Sequence, residues 1–257
     1  TDTTTENPAP NGIGGEDTAS RISGPGSLFE IFFDPGAVFD DIRKKPFPRL
    51  LMPLFLCALA ISAFNFSLAQ KLGPERIMRE QLKSAWMAQI PDDQKEKMVE
   101  QAKSAGAVQN AINNTIGIVV IVVIFVIIGL VYWGLGLAFG GEGSFLHGLA
   151  ISAYASFPIT IISMIGSIVI LLLKDVDDIS FFDAQQGMLK LNPTILLDAG
   201  PVLSGLMSRI DVLAIWGMFL GAIGLQKCFR ISSGSAWAIS ILMWLIGTGF
   251  VVLGKMF

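Results

Sequence analysis

The chain has 257 residues, of which 52% are hydrophobic and only 15% are charged, and its net charge is −3. Its mean hydropathy of +0.62 implies more apolar surface than a soluble fold of this length can bury. The weak negative charge argues against a nucleic-acid partner, because no basic face could neutralise a run of phosphates. We therefore predict an all-α, polytopic membrane helical bundle.

The first 26 residues form a polar segment rich in Thr, Gly, Asn and Ser. They hold too little apolar surface to offset the entropy of ordering, so we expect 1–26 to be a disordered tail. The segment lacks the basic start and the short apolar core of a cleavable signal peptide. The first membrane span is therefore expected to act as an uncleaved signal-anchor.

Two short interfacial, amphipathic helices are predicted within 27–48. Ser27 and Glu30 have the spacing of a capping box, in which each side chain bonds a free backbone amide at a helix start. Asp34 and Pro35 then supply an N-cap and a proline at the first helical position, where its missing N–H costs nothing.

The second of these helices has one apolar face and one charged face. Three residues share the apolar face: Val38, Phe39 and Ile42. Pro46 and Pro48 are expected to end the helix. The pair is expected to lie in the headgroup plane of the membrane, where Phe32 and Phe33 would contact lipid. The alternative is that the aromatic residues pack on the protein's own helices.

Five membrane spans are predicted within 49–257. A helix needs about 20 apolar residues to cross the hydrocarbon core of a bilayer. The predicted spans are about 50–70, 115–139, 148–173, 210–227 and 234–254.

The fourth span is short, because fifteen uncharged residues separate Asp211 from Lys227. We expect both charged ends to reach the membrane surface, or the helix to begin as early as Leu203.

Two polar inserts separate the spans. The insert 71–113 carries seven basic and six acidic residues, and it predicts a short extramembrane helical hairpin with helices at about 74–89 and 92–107. The insert 174–209 begins with an acidic cluster that lacks the central Gly and the closing Glu of a calcium loop, so no metal site is predicted there. Part of it, Ile195–Met207, is expected along the membrane surface.

No residue pattern predicts catalysis. Inside their ends the predicted spans hold no Asp, Glu, Lys, Arg or His, although chemistry or ion coupling inside a membrane normally needs one. No zinc-binding His pair, nucleophile elbow or phosphate-binding loop is present. The single histidine, His147, cannot build a metal site with only Cys57 and Cys228. We predict no catalytic, cofactor-binding or metal-binding residue and no cofactor, so the chain is not expected to be an enzyme.

Small residues in the spans are spaced for close helix contacts. Gly217 and Gly221 form a GxxxG motif, and Gly148, Ser152 and Ser156 recur every four positions. Such stripes let helix backbones approach each other. They predict packing either within one chain or between protomers of a homo-oligomer.

Pro158, near the middle of the third span, is expected to kink it. Tyr154 beside it is expected to form inter-helix hydrogen bonds. The residues predicted to serve helix packing or interaction are Phe32, Phe33, Pro35, Tyr154, Pro158, Gly217 and Gly221.

Basic residues favour a cytoplasmic N-terminus. Four of them stand directly before the first span: Arg43, Lys44, Lys45 and Arg49. Such a cluster at the first helix orients many membrane proteins. A plain count of loop charges, six on that side against eleven on the other, points the opposite way. We follow the cluster, because the insert 71–113 is nearly charge-balanced, and five spans then place the C-terminus outside.

Three runs of sequence resemble the Yip family of Ypt/Rab-interacting membrane proteins, in its bacterial form. They are Phe33-Asp-Pro-Gly-Ala-Val-Phe-Asp-Asp-Ile-Arg-Lys-Lys-Pro46, Tyr154-Ala-Ser-Phe-Pro158 and Asp211-Val-Leu-Ala-Ile-Trp216. The resemblance covers roughly 28–254 and implies five spans with a cytoplasmic N-terminus. Eukaryotic relatives are associated with small GTPases, vesicle formation and membrane shaping. The chain lacks their Asp-Leu-Tyr-Gly-Pro motif, which argues against a small GTPase as its partner.

Two functions are compatible with these features. The first is a non-catalytic scaffold or adaptor in a bacterial cytoplasmic membrane, which organises the lipid bilayer or assembles protein partners. The second is a permease or channel for a small neutral solute or lipid, with a path along the Pro158 kink and its neighbouring hydroxyl groups.

Overall fold

The computed structural model describes residues 25–84, 87, 89–104, 107–185, 187–195 and 200–256, and this part of the chain contains helices and no strand. Almost all of the tail predicted at 1–26 lies outside the described residues. The helices are α1 (Gly26–Glu30), α2 (Pro35–Lys44), α3 (Pro46–Leu72), α4 (Pro74–Gln81), α5 (Asp92–Lys103), α6 (Ala107–Ala138), α7 (Phe145–Leu173), α8 (Phe181–Gln185), α9 (Pro201–Met207), α10 (Val212–Phe229) and α11 (Ser233–Met256).

Five of these helices are long and apolar enough to cross a membrane. They are α3, the Thr115–Ala138 part of α6, α7, α10 and the Ser233–Leu253 part of α11. The predicted all-α bundle with five membrane-crossing helices is therefore confirmed.

The short fourth span is a complete helix on its own. Its 18 residues reach about 27 Å at 1.5 Å per residue. The Asp211 carboxylate caps its first turn by accepting a hydrogen bond from the Leu213 N–H at 2.9 Å. The early start at Leu203 is wrong, because the proline-initiated helix α9 ends at Met207 and the chain turns before α10 begins.

Helix α7 lies at the centre of the bundle, and α3, α6 and α10 pack around it. Two glycines allow the close crossing of α6 and α7. A Cβ on Gly148 would lie 2.3 Å from the carbonyl oxygen of Gly129, and a Cβ on Gly129 would lie 2.7 Å from the Cα of Leu149. One turn further on, the Ser152 hydroxyl donates a hydrogen bond to the carbonyl of Phe125 at 3.1 Å.

The GxxxG motif of α10 also faces the protein's own helices. A Cβ on Gly217 would lie 2.3 Å from the Ile159 side chain of α7, and one on Gly221 would lie 2.7 Å from the Tyr132 hydroxyl of α6. These two glycines therefore serve contacts within one chain. Pro158 is buried inside α7, which continues as a helix to Leu173.

The alternating direction of the spans divides the extramembrane elements between two ends of the bundle. We call one end the N-terminal face; it carries α1, α2, the loop 139–144 and the turn 230–232. The opposite face carries α4, α5, α8 and α9. On that face the Lys71 ammonium donates to the carbonyls of Leu171 and Lys174, where α7 ends.

The helical hairpin of the opposite face is shorter than predicted. Helix α4 ends at Gln81 instead of about 89. After it, the Lys83 and Ser84 amides donate to the carbonyls three residues earlier, which tightens the last turn, and the Ser84 hydroxyl also donates to the Gln81 carbonyl at 2.6 Å. Arg79 joins the two helices by contacting Glu75 at 3.0 Å and Glu96 at 3.5 Å. The hydrogen bond from Arg79 also holds the pKa of the Glu75 carboxyl below its ordinary value.

The close crossing of α6 and α7 can be tested with two glycine substitutions on α6, one at the crossing and one away from it. We expect Gly129→Ala to lower the free energy of unfolding in detergent by about 1–3 kcal/mol, since the added methyl group meets backbone rather than a movable side chain. Gly134→Ala is the control, because a Cβ there meets nothing within 4 Å. Equal unfolding midpoints for the two variants would contradict this packing.

Candidate functional site

Polar contacts join α1 and α2 to α3, α7 and α10 on the N-terminal face, and we call this set of contacts the polar interface. The apolar residues of α2, Val38, Phe39 and Ile42, are almost wholly buried, and they pack mainly against α10. Gly224 of α10 makes room, since a Cβ there would lie 3.0 Å from the Phe39 ring. Of the two alternatives for this helix face, packing on the protein's own helices is the one observed.

The start of α2 follows from its sequence. The Asp34 carboxylate accepts a hydrogen bond from the Ala37 N–H at 3.0 Å, and Pro35 takes the first helical position. This predicted N-cap is confirmed.

Helix α2 ends directly before Pro46, as predicted, and the two prolines that follow it begin the next helix. The helix stops at Lys44, and Pro46 and Pro48 stand in the first turn of α3. Prolines are tolerated there because the first N–H groups of a helix have no partner within it.

The capping box predicted for Ser27 and Glu30 is wrong. Helix α1 begins after Pro25, and no side chain caps it. The Ser27 hydroxyl is instead buried and lies 2.8 Å from the hydroxyl of Tyr154, 127 residues further along the chain. A buried hydroxyl needs a hydrogen-bond partner, and α7 provides one.

Tyr154 compensates for a proline in the first span. Pro53 lies inside α3 and has no N–H, so the carbonyl of Arg49, four residues earlier, lacks its usual donor. The Tyr154 hydroxyl donates to that carbonyl at 3.1 Å. Because the hydroxyl has only one proton, the Ser27 hydroxyl must donate to the Tyr154 oxygen. One buried side chain of α7 therefore bonds both α1 and α3.

Two neighbouring carboxylates of α2 add ion pairs to two different spans. Asp41 contacts Arg49 of α3 at 2.5 Å, and both side chains are about nine-tenths buried. Asp40 contacts Lys227 near the end of α10 at 2.7 Å, in a partly exposed position. Breaking a buried ion pair is strongly unfavourable, so any placement of α2 that separates Asp41 from Arg49 is disfavoured.

His147 joins the end of α2 to the start of α7. Its Nδ1 accepts a hydrogen bond from the Ser144 N–H at 3.0 Å, so the neutral ring carries its proton on Nε2. That Nε2 lies 3.1 Å from the carbonyl of Arg43 and donates to it. The histidine thus caps two helix ends. The described residues contain no cluster of three or more potential metal ligands.

The two phenylalanines that were predicted together point in different directions. Phe32 packs against Phe157 of α7, with 6.4 Å between the ring centroids. Phe33 is 86% exposed and Phe29 is 74% exposed. We call these two side chains the aromatic pair; it lies on the outer side of the N-terminal helices.

The structure gives four residues roles that the sequence did not predict for them. Ser27, Asp41, Arg49 and Pro53 all belong to the polar interface, and only Pro53 carries a local signal. A proline inside a span always leaves the carbonyl four residues earlier without its helix donor. The partners of the other three are set by tertiary packing.

Comparison with known proteins identifies one family. The Yip1 domain matches residues 29–254 of the chain, which includes α2 to α10 and nearly all of α11. Neither the curated proteins nor the solved structures include a significant match.

Proposed function

The chain belongs to the Yip1 domain family and is an integral membrane protein with five membrane-crossing helices; from this we propose that it is a non-catalytic scaffold or adaptor that organises a membrane or assembles partners on it. The single observation that supports the proposal most is the polar interface. It holds α1 and α2 in one orientation while the aromatic pair stays outside the protein core.

The aromatic pair has the chemistry of a lipid contact. Phe29 and Phe33 are four residues apart and expose most of their apolar surface at the end of the membrane-crossing bundle. Apolar side chains of this kind insert about 5–10 Å into the headgroup and acyl boundary of one leaflet. Side chains inserted into one leaflet alone would expand that leaflet and curve the bilayer. Protein partners or a second copy of the chain would bind on the same face.

We further propose a bacterial cytoplasmic membrane with the N-terminal face in the cytoplasm. The support is the basic cluster before α3, together with Lys227 and Arg230 at the same end of the bundle. The C-terminus then lies outside.

Cysteine labelling tests the orientation, since the native cysteines Cys57 and Cys228 are buried. We expect a membrane-impermeant maleimide to label Lys45→Cys in inside-out vesicles and Glu100→Cys in intact cells with a permeable outer layer. Both residues are exposed, on opposite ends of the bundle. The reverse labelling pattern would contradict the proposed orientation.

The permease remains the second hypothesis from the sequence, but the structure provides less support for it. Its proposed path used Tyr154 and Pro158, and both side chains are buried. The Tyr154 hydroxyl is also occupied by hydrogen bonds to other helices.

Membrane shaping by the aromatic pair is tested by reconstitution. We expect the wild-type protein to lower the mean diameter of liposomes seen by electron cryo-microscopy, and Phe29→Asp/Phe33→Asp to abolish that effect. Each phenylalanine contributes about 1.5–3 kcal/mol when its side chain is buried in lipid, and a carboxylate reverses this preference. Phe29→Leu/Phe33→Leu is the matched control, because it keeps the apolar surface. Vesicles of equal size with the Asp and Leu variants would contradict the proposal.

A further inference from the structure

A cavity of about 410 Å³ lies on the N-terminal face, between the end of α2, the loop before α7 and the end of α10. Its lining residues are Arg43, Lys44, Glu142, His147, Cys228 and Arg230. We infer that this cavity binds a phosphate group at the membrane surface, presented by an anionic lipid headgroup or by a free phosphate. The inference rests on the cavity itself and is independent of the proposed scaffold function.

The charge in the cavity is not balanced by the protein. Three of its residues are cationic, and Glu142 is the single carboxylate among them. Arg230 and Glu142 approach only to 3.8 Å, with both side chains mostly exposed. Arg43 and Lys44 form no ion pair within the described part of the chain.

Two cations just outside the cavity, unlike Arg43 and Lys44, form ion pairs within the protein. Arg49 and Lys227 each contact a carboxylate of α2, at 2.5 and 2.7 Å. The same helix therefore neutralises two neighbouring cations with its own side chains and leaves its last turn positive. The excess positive charge is concentrated at the cavity rather than spread over the face.

Two backbone carbonyls beside the cavity are hydrogen-bonded within the protein. Helices α2 and α10 both end here, and free carbonyl groups at helix ends would repel an anion. The Arg43 carbonyl is bonded by His147 at 3.1 Å, and the Phe229 carbonyl by the Glu142 N–H at 2.9 Å. These two acceptors are used within the protein, which reduces the repulsion between the two helix ends and an anion bound beside the cationic side chains.

The residue types favour phosphate over other anions. A guanidinium presents a planar fork of N–H groups that matches two phosphate oxygens, and lysine adds a point charge. Basic pockets between membrane-spanning helices at the cytoplasmic side are typical sites for lipid headgroups. The position of the cavity at one end of the spans, beside α2, places it at the level where headgroup phosphates lie.

Binding to the purified full-length protein in zwitterionic detergent tests the inference. The probes are short-chain phosphatidylglycerol, short-chain phosphatidylcholine and inorganic phosphate, measured by native mass spectrometry and by calorimetry. A cationic residue near a membrane surface contributes about a fivefold gain in affinity for anionic lipid. We therefore expect Arg43→Gln/Lys44→Gln to weaken phosphatidylglycerol binding about 25-fold.

Lys45→Gln is the matched control, since it removes the adjacent charge, which does not line the cavity; we expect less than a twofold effect. Arg230→Asn is a second variant, to be used if the double variant does not fold. Asparagine is chosen because it tolerates the left-handed backbone of residue 230, where φ is 57°. It should weaken binding about fivefold.

Phosphatidylglycerol binding alone would identify a lipid site, and competition by inorganic phosphate would identify a site for free phosphate; either result supports the inference. Equal losses in all variants, or equal binding of phosphatidylcholine, would overturn it.

Discussion

The carbonyl of Arg49 is the polar group on which the arrangement of the N-terminal face depends. Pro53 removes its helix donor, and a buried backbone carbonyl without a hydrogen-bond partner costs about 1–3 kcal/mol. The Tyr154 hydroxyl meets this requirement at 3.1 Å and accepts from Ser27 in turn. One hydroxyl group thereby positions α1, α3 and α7 together, and the Asp41–Arg49 ion pair adds α2 to the same cluster.

The placement of α2 has a consequence for the short fourth span. In its most apolar window 44% of the residues are buried, against 17–22% for the other four spans. Phe39 packs on Gly224, and Asp40 neutralises Lys227. Helix α10 is therefore enclosed by protein on several sides and need not match the bilayer thickness alone. The N-terminal helices act as part of the folded core, although their aromatic pair faces outward.

The sequence was sufficient for features that depend on local composition. Long charge-free windows predicted the spans, and small residues such as Gly217 predicted close helix contacts. Ser27 was misassigned because capping-box spacing is local, whereas its observed partner Tyr154 is remote in the chain. The amphipathic pattern of α2 did not show whether its apolar face contacts lipid or other helices of the protein, because both offer an apolar surface to the same residues. For that reason the burial of Asp41 and the different directions of Phe32 and Phe33 became known only from the structure.

The most direct measurement is a double-mutant cycle between Tyr154 and Pro53, read as the free energy of unfolding in detergent. Tyr154→Phe should destabilise the protein by about 1–3 kcal/mol, because a buried acceptor loses its donor. Pro53→Ala in the same background should recover most of that loss, since the new N–H reaches the Arg49 carbonyl within the helix. Tyr132→Phe, which removes another buried tyrosine hydroxyl, should have the smaller effect. Purely additive effects of the two substitutions, or an unchanged stability of Tyr154→Phe, would contradict the account.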